Sequence, residues 1–429
     1  MNVIPFPAQA FEAVDQHGQA FHVFVLRQTL SFAGGALAYA DVQAPLCDSD
    51  VPFHPGGGVR QESDYCPFKP QCDVIVNAFA HAPRAVAAAA FPVRLTVSRP
   101  GATPALIDKR LTVTGERRFI KKSWPLRAMQ AALKWLTLTL VRPVPWRLGE
   151  AAPFTSLPLR DEFACGGQCR INAGDAAAAK IPARHRLTPE QLAMHPDANA
   201  APAMRPAAHT ACAHNLSGLG YAQAWYLRAA GVKTVAAPRI ERPGDEFTAQ
   251  RFWQAQNNAL AAGMPEPAGL GIRGMAHPAR HALLGSADEA FAGSGAALPH
   301  DFDFAIWNAA PADQQIDFLH GDEVFELSNL CRPDTPGAHV DAQGNTVLRL
   351  VLPQHECQVR MQLESGAACA QALVVDTVLI EPEERRCTLV WRAVLPREAE
   401  APIEGAEFCL QTVLERNRAH METAMRREV

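Results

Sequence analysis

Two short runs near the end of the chain constrain its fold more than any other feature. They are Asp376-Thr-Val-Leu-Ile380 and Thr388-Leu-Val-Trp-Arg392, separated by the polar stretch Glu381 to Arg386. Aliphatic, β-branched and aromatic residues bounded by a polar turn predict a β-hairpin. The same grammar recurs near the start. Asp15 to Gly18 is turn-like and leads into Phe21, Val23, Val25, Thr29 and Phe32. Gly34-Gly35 supplies the positive φ of a tight return into Ala36 to Tyr39. Val74-Ile75-Val76 reads as a short buried strand. Phe91 to Val97 alternates apolar and polar, with Ile107 to Val113 as its hairpin partner. Val347 to Leu352 and Cys357 to Leu363 add further strands.

Between the two ends the grammar changes. Residues 151–320 are rich in Ala, Pro, Gly and His, with few β-branched runs. Short helices are expected at 217–230 and 246–262, and loop or weak helix at Ala176 to Ala179 and Ala198 to Ala208. Residues 124–141 read as a short helix passing into a strand. Leu410, Val413 and Leu414 among charges predict an amphipathic helix over 405–427. The expected fold is therefore mainly β. Two antiparallel β-sandwich-like regions, residues 1–150 and 321–429, pack together around a loop-rich middle with a few short helices, and a helix ends the chain.

Composition narrows the function. Forty basic and 44 acidic residues give a net charge of -4, which argues against a dedicated nucleic-acid binder. With 48% hydrophobic and 20% charged residues, the chain is not built for wholesale disorder. It carries no uncharged apolar run of about 18 residues, so no membrane-spanning helix is expected. The first residues lack a basic cluster and an apolar stretch, so a cytoplasmic location is expected. The eleven cysteines are irregularly spaced and form no disulfide framework, which fits buried thiols in a reducing compartment.

No motif carries catalysis. Gly269-Leu-Gly271-Ile-Arg-Gly274 matches a dinucleotide fingerprint as a string, but Pro265 and Pro267 spoil the strand before it and Pro278 the helix after it. It reads as a glycine-rich turn. Cys165, Cys169, Cys212 and His214 could supply zinc ligands, but their spacing is irregular and they read as incidental. Asp301 and Asp303 could act as an acid–base pair or hold a hard cation. Alternatively, Asp301 caps a turn while Phe302 and Phe304 pack inward. No catalytic residue, cofactor or metal is assigned.

Several blocks, read in order, resemble a bacterial family, domain of unknown function 2169, which is associated with type VI secretion. The N-terminal block is Glu62-Ser63-Asp64, Lys69-Pro70, Asp73-Val74 and Ala80-His81-Ala82-Pro83. Val113-Thr-Gly115-Glu-Arg117, Phe163 with Gly166-Gly167, and Ala237 to Glu241 follow. Gly269 to Arg273 with Pro278 and Arg280 also fits, which accounts for the glycine string without a nucleotide. The strongest match is Asp301-Phe302-Asp303 through Trp307-Asn308-Ala309-Ala310-Pro311 to Gln315. Val375 to Val378 and Val390-Trp391-Arg392 close the pattern. Residues 124–141 look like an insertion, Cys165 and Cys169 are not pattern residues, and Leu284 to Asp288 is degenerate.

The resemblance implies a cytoplasmic adaptor or chaperone. It would bind a secreted toxin effector and help load it onto the spike or tip protein of the secretion machine, with no nucleic acid and no membrane insertion. Motif density in loops places the recognition face at Asp64, Lys69 and Asp73 together with Asp301, Asp303 and Trp307. The competing reading is that Pro, Gly and Asp there only fix turns. Two other functions stand as alternatives: a metal-assisted hydrolase using Asp301 and Asp303, and a structural subunit of the spike.

Overall fold

The closing hairpin forms where the sequence predicts it. In the computed structural model of the protein, Val374–Glu381 and Arg386–Pro396 pair antiparallel, with Ile380 opposite Cys387. Arg385 closes the turn at φ 52°. The structure describes residues 2–3, 6–123, 125, 129, 144–257, 263–287, 298–319, 321–364, 366–397 and 403–412. The helix-to-strand passage expected at 124–141 lies almost wholly outside the described residues, and so do Asp288 and the tail beyond Thr412.

The chain forms two compact units. The first comprises Met1–Arg84, Arg94–Lys109 and Leu270–Val429, and the second Ala85–Val93 and Arg110–Gly269. At the centre of the first is a seven-stranded sheet. Six of its strands are β1 (Ala8–Val14), β2 (Ala20–Ser31), β3 (Cys72–Val76), β4 (Gln315–Ile316), β5 (Val374–Glu381) and β6 (Arg386–Pro396). They lie in the order β1-β2-β6-β5-β3-β4, and Ala38–Tyr39 also pairs with β2. β3 runs parallel to β5, and the other neighbours are antiparallel. The C-terminal pair β6-β5 thus sits between the N-terminal strands β2 and β3 in one sheet. The expected end regions share their hydrogen-bond ladder.

β2 buries every residue from Val23 to Leu30. A strand paired along both edges and covered on both faces favours a continuous apolar run. Here Arg27, Gln28 and Thr29 interrupt that run while buried. Such groups require partners inside the fold, and the partners of Arg27 locate the site described below.

A four-stranded sheet of the same unit has the order Asn2–Val3, Ile403–Thr412, His355–Leu363, Ala368–Ala372. Ile403–Thr412 is a strand, which corrects the helix expected from residue 405. Its apolar residues do fit a helical stripe. However, the neighbouring strand offers a full antiparallel register, from His355↔Thr412 to Leu363↔Ile403, and that pairing overrides local pattern. Elsewhere in the unit, Val324–Ser328 pairs with both Thr346–Val351 and residues 94–98.

The second unit has a core of its own. Phe119 stacks on Phe252 with centroids 4.2 Å apart and planes 3° from parallel, and Trp146 meets Phe252 edge-on at 5.1 Å. The expected short helices form at Ala224–Ala229 and Ala249–Ala255. Residues 198–208, expected as loop or weak helix, contain a single 3-10 turn and enter a strand, Pro206–Ala211, which pairs with Gln168–Asn172. Gly115 shows why one motif needs glycine: a Cβ there would lie 1.7 Å from the Ala152 carbonyl oxygen. No described helix is long and apolar enough to cross a membrane.

A histidine relay ties the loop at 195–197 to this strand pair. The Asp197 N–H donates to His195 Nδ1 at 3.0 Å, which leaves His195 Nε2 to donate to His209 Nδ1 at 2.9 Å. His209 Nε2 then donates to Gln168 Oε1 at 2.8 Å. Burial, the neighbouring His195 and then Arg170 lower the pKa of His209, with Asp197 opposing them weakly. A histidine pKa lowered by folding adds stability above the unfolded value of about 6.5, and that stability is lost as pH falls. Amide exchange at 206–211 is therefore expected to accelerate as pH falls from 7.5 through 6.5 to 5, after correction for intrinsic rates. In His209→Gln the excess acceleration is expected to shrink. An identical profile in both proteins would contradict the assignment.

Candidate partner-binding surface

Several buried charged residues of the first unit converge on one cluster. Arg27 on β2 donates to Asp64 Oδ2 at 2.8 Å, and the Cys47 N–H donates to the same oxygen at 2.8 Å. Arg392 on β6 donates through Nε to Asp376 Oδ2 at 2.5 Å, and to the Cys66 and Asp64 carbonyls at 2.7 and 3.0 Å. Lys69 Nζ reaches Asp73 Oδ2 at 2.8 Å and Thr377 Oγ1 at 2.9 Å. Asp73 is fully buried and also accepts from Asn308 Nδ2 and the N–H groups of Ala309 and Ala310, at 3.1, 2.9 and 3.1 Å. Nearby, Arg280 pairs with Glu62 and donates to the carbonyls of Ile306 and Arg273. A cavity of about 30 Å³ sits among these groups, lined by Arg27, Asp64, Lys69 and Arg392.

The electrostatics hold the charges of Lys69 and Arg392 in place. Burial is the largest single influence on the Lys69 ammonium and works against it, but Asp73, Cys66 and Asp376 together raise the Lys69 pKa above its usual value. Burial likewise opposes the Arg392 guanidinium most strongly, and Asp376, Cys66 and Asp64 together move its pKa upward. The cluster is thus a charged clasp joining loop 62–73 to β2, β3, β5, β6 and the 306–310 turn.

This geometry corrects half of the expected recognition face. Asp64, Lys69 and Asp73 are buried, and their polar groups bond other parts of this chain. They are unavailable for direct contact with a partner. The turn-fixing reading describes them better. Asp301 and Asp303 are exposed. Asp301 accepts from the Ser286 N–H at 2.9 Å and its hydroxyl at 2.8 Å, which lowers its pKa. Asp303 accepts from the Ala305 N–H at 2.8 Å and caps the turn Phe304–Trp307. Trp307 is half-buried against a small cluster that includes Phe302 and Ile306.

Among the described residues, no group of three or more His, Cys, Asp or Glu side chains is placed to hold a metal ion. Cys165, Cys169 and Cys212 are buried in the core of the second unit. Burial pushes the Cys169 thiol up to about 12, away from the thiolate that binds metals. Gly167, beside Cys165, has φ +113° and a Cβ there would lie 2.7 Å from the Gly218 carbonyl, so its motif position is a backbone requirement.

The surface feature that sequence reading missed is Ala368–Ala372. Ala-Cys-Ala-Gln-Ala has none of the β-branched or aromatic residues that mark a strand. It is nevertheless the outer strand of the four-stranded sheet, with all but Gln371 exposed. The Leu373 N–H donates to the Cys357 carbonyl at 2.8 Å. With the strand period of two, Gln371 and Cys369 also bond inward, opposite Val359 and Met361. The backbone groups of Ala368, Ala370 and Ala372 therefore face outward. Natural edges are usually blunted by charge, proline or a bulge, and this one has no charge, no proline and an unbroken register. By contrast β1, at the edge of the larger sheet, carries Glu12, which is paired with Arg397.

Residues 17–392 match the family described as an uncharacterized protein conserved in bacteria (DUF2169). The chain belongs to the DUF2169 family. No curated protein and no solved structure matches it significantly. The DUF2169 match opens in the turn before β2 and ends on Arg392, so both arginines of the clasp lie within it. The edge strand Ala368–Ala372 lies within it too.

Proposed function

We propose that this protein is a cytoplasmic adaptor or chaperone of type VI secretion. It binds a secreted toxin effector and helps load it onto the spike or tip protein. The observation that carries this reading is the unguarded edge strand Ala368–Ala372. An extended partner segment adds to such an edge through main-chain hydrogen bonds, which suit a cargo held before export. The motif blocks resembling a type VI-associated family support the same reading, and the buried clasp supplies a rigid scaffold behind the edge. Asp301, Asp303 and Trp307 remain available as a secondary contact region.

Affinity capture of the tagged full chain from a cell bearing a type VI machine tests this directly. The expected result is co-purification of a secretion effector or a spike-tip protein. Recovery of the chain with no secretion component, under conditions in which the machine is assembled, would overturn it.

A further inference from the structure

The edge strand Ala368–Ala372 adjoins a groove of about 190 Å³, which Gln371 and Ala372 line on one side. Val374 at the start of β5, Val394 on β6, and Phe68 and Phe318 from two loops give it an apolar wall. The clasp residues that also line it are buried and already bonded within the clasp. Phe68 and Val374 are each 37% exposed, so the wall is open to an incoming group. The Phe68 ring sits edge-on to Phe304 at 6.0 Å, which fixes that side of the groove.

The strand edge determines what can cover this wall. Outward N–H and C=O groups at Ala368, Ala370 and Ala372 suit another extended backbone. Every ladder of this sheet is antiparallel, and an added strand continues that pattern. Cys369 and Gln371 stand opposite Met361 and Val359, which are buried on the inner face of the sheet. On that face Phe408, opposite Val359, meets Phe24 of β2 edge-on at 6.4 Å, so the face looks onto the seven-stranded sheet. Directly opposite residues point to the same face. The added residue opposite Gln371 therefore points inward, at the groove. An apolar cavity of about 150 Å³ takes up benzene, so a phenyl ring fits here. A second copy of this chain could not fill the space: self-pairing about Ala370 sets Cys369 against Gln371, a short side chain and a polar one.

We infer that the groove selects an extended partner segment that carries a large apolar side chain, above all an aromatic one, opposite Gln371. Main-chain bonds hold the segment, and the groove reads its side chain. The inference deepens the adaptor reading, on which the identity of the partner rests, but it is testable without any secretion component. Cys369 is the handle, since it is exposed and the other ten cysteines are buried. The residue opposite it on an antiparallel added strand lies with its Cα about 4.5 Å away, which a disulfide can span. The probe is acetyl-Thr-Phe-Thr-Cys-Thr amide, supplied as its mixed disulfide with 2-mercaptoethanol. With its Cys opposite Cys369, its Phe falls opposite Gln371. Capture by the full chain is read by mass spectrometry against rising 2-mercaptoethanol. The Phe peptide is expected to withstand about tenfold more reductant than its counterpart with Ser in that place, the ratio that partial burial of a ring implies. In Phe68→Ala, and in Val374→Thr, which keeps the β-branch, that ratio is expected to fall below about threefold.

Equal resistance of the two peptides, or a Phe preference unchanged by both wall variants, would overturn the groove. Capture of the Phe peptide that persists in Cys369→Ser would place the site elsewhere and overturn it too. So would a chain that dimerises through this edge and takes up the peptide only once the dimer is split. A chain that prefers the Phe peptide but captures no secretion component keeps the groove and loses the adaptor reading. A chain that captures an effector equally well with and without Phe68→Ala keeps the adaptor reading and loses the groove.

Discussion

Asp73→Ala is expected to destabilise the first unit by about 3–5 kcal/mol, the cost of stranding one member of a buried ion pair. Asp73 is fully buried and accepts from Lys69, Asn308, Ala309 and Ala310. Its removal leaves a buried ammonium with only the Thr377 hydroxyl, and it orphans two backbone N–H groups on the 308–310 turn. Asp73→Asn should not rescue, because the new amide would aim donors at donors. Urea unfolding measures the loss. The control is Asp301→Ala, at an exposed carboxylate, expected to cost less than about 1 kcal/mol. The Lys69 pKa is raised by folding, so its contribution is complete below the unfolded value of about 10.4 and is lost only as pH rises through the raised folded value. The Asp73→Ala deficit should therefore persist at full size from pH 7 to 9. A deficit near that of Asp301→Ala would mean that the clasp is not what holds the unit together.

Phe252→Ala is expected to remove about 3–5 kcal/mol from the second unit, the usual cost of deleting a fully buried aromatic side chain. Phe252 is 1% exposed and meets Phe119, Trp146 and Phe247. Amide exchange along Ala249–Ala255 is the readout. Protection there should fall by about two orders of magnitude, the ratio that 3 kcal/mol implies. A change below about tenfold would mean that the middle of the chain is loosely packed, as its composition alone suggests.

Strand identity was legible in the sequence wherever β-branched and aromatic residues were dense. β2, β3, β5 and β6 were all expected close to their observed places. Two kinds of element were not legible. Ala368–Ala372 and Ile403–Thr412 are strands because a neighbouring strand offers them a register, and no local propensity announces that. Pro206–Ala211 is of the same kind. The candidate site was half legible. Asp64, Lys69 and Asp73 stood out as motif residues, but a charged residue in a Pro-rich loop looks the same whether it meets water or a buried arginine. Only the three-dimensional placement of Arg27 and Arg392 decides between them. The one available signal was Arg27-Gln28-Thr29 inside an apolar strand, a polar interruption that requires buried partners.

In the proposed role, the edge strand Ala368–Ala372 captures an extended partner segment while the charged motif residues act as internal scaffold. Its most direct test compares the affinity of the captured partner for the native chain and for Ala370→Pro. The Ala370 N–H faces away from the ladder, so proline there removes one outward donor and spares every inward bond. The account predicts unchanged unfolding and at least tenfold weaker binding, about the worth of one lost main-chain hydrogen bond plus the steric block of the ring. Equal affinity in a folded Ala370→Pro protein would contradict it and place the partner on another surface.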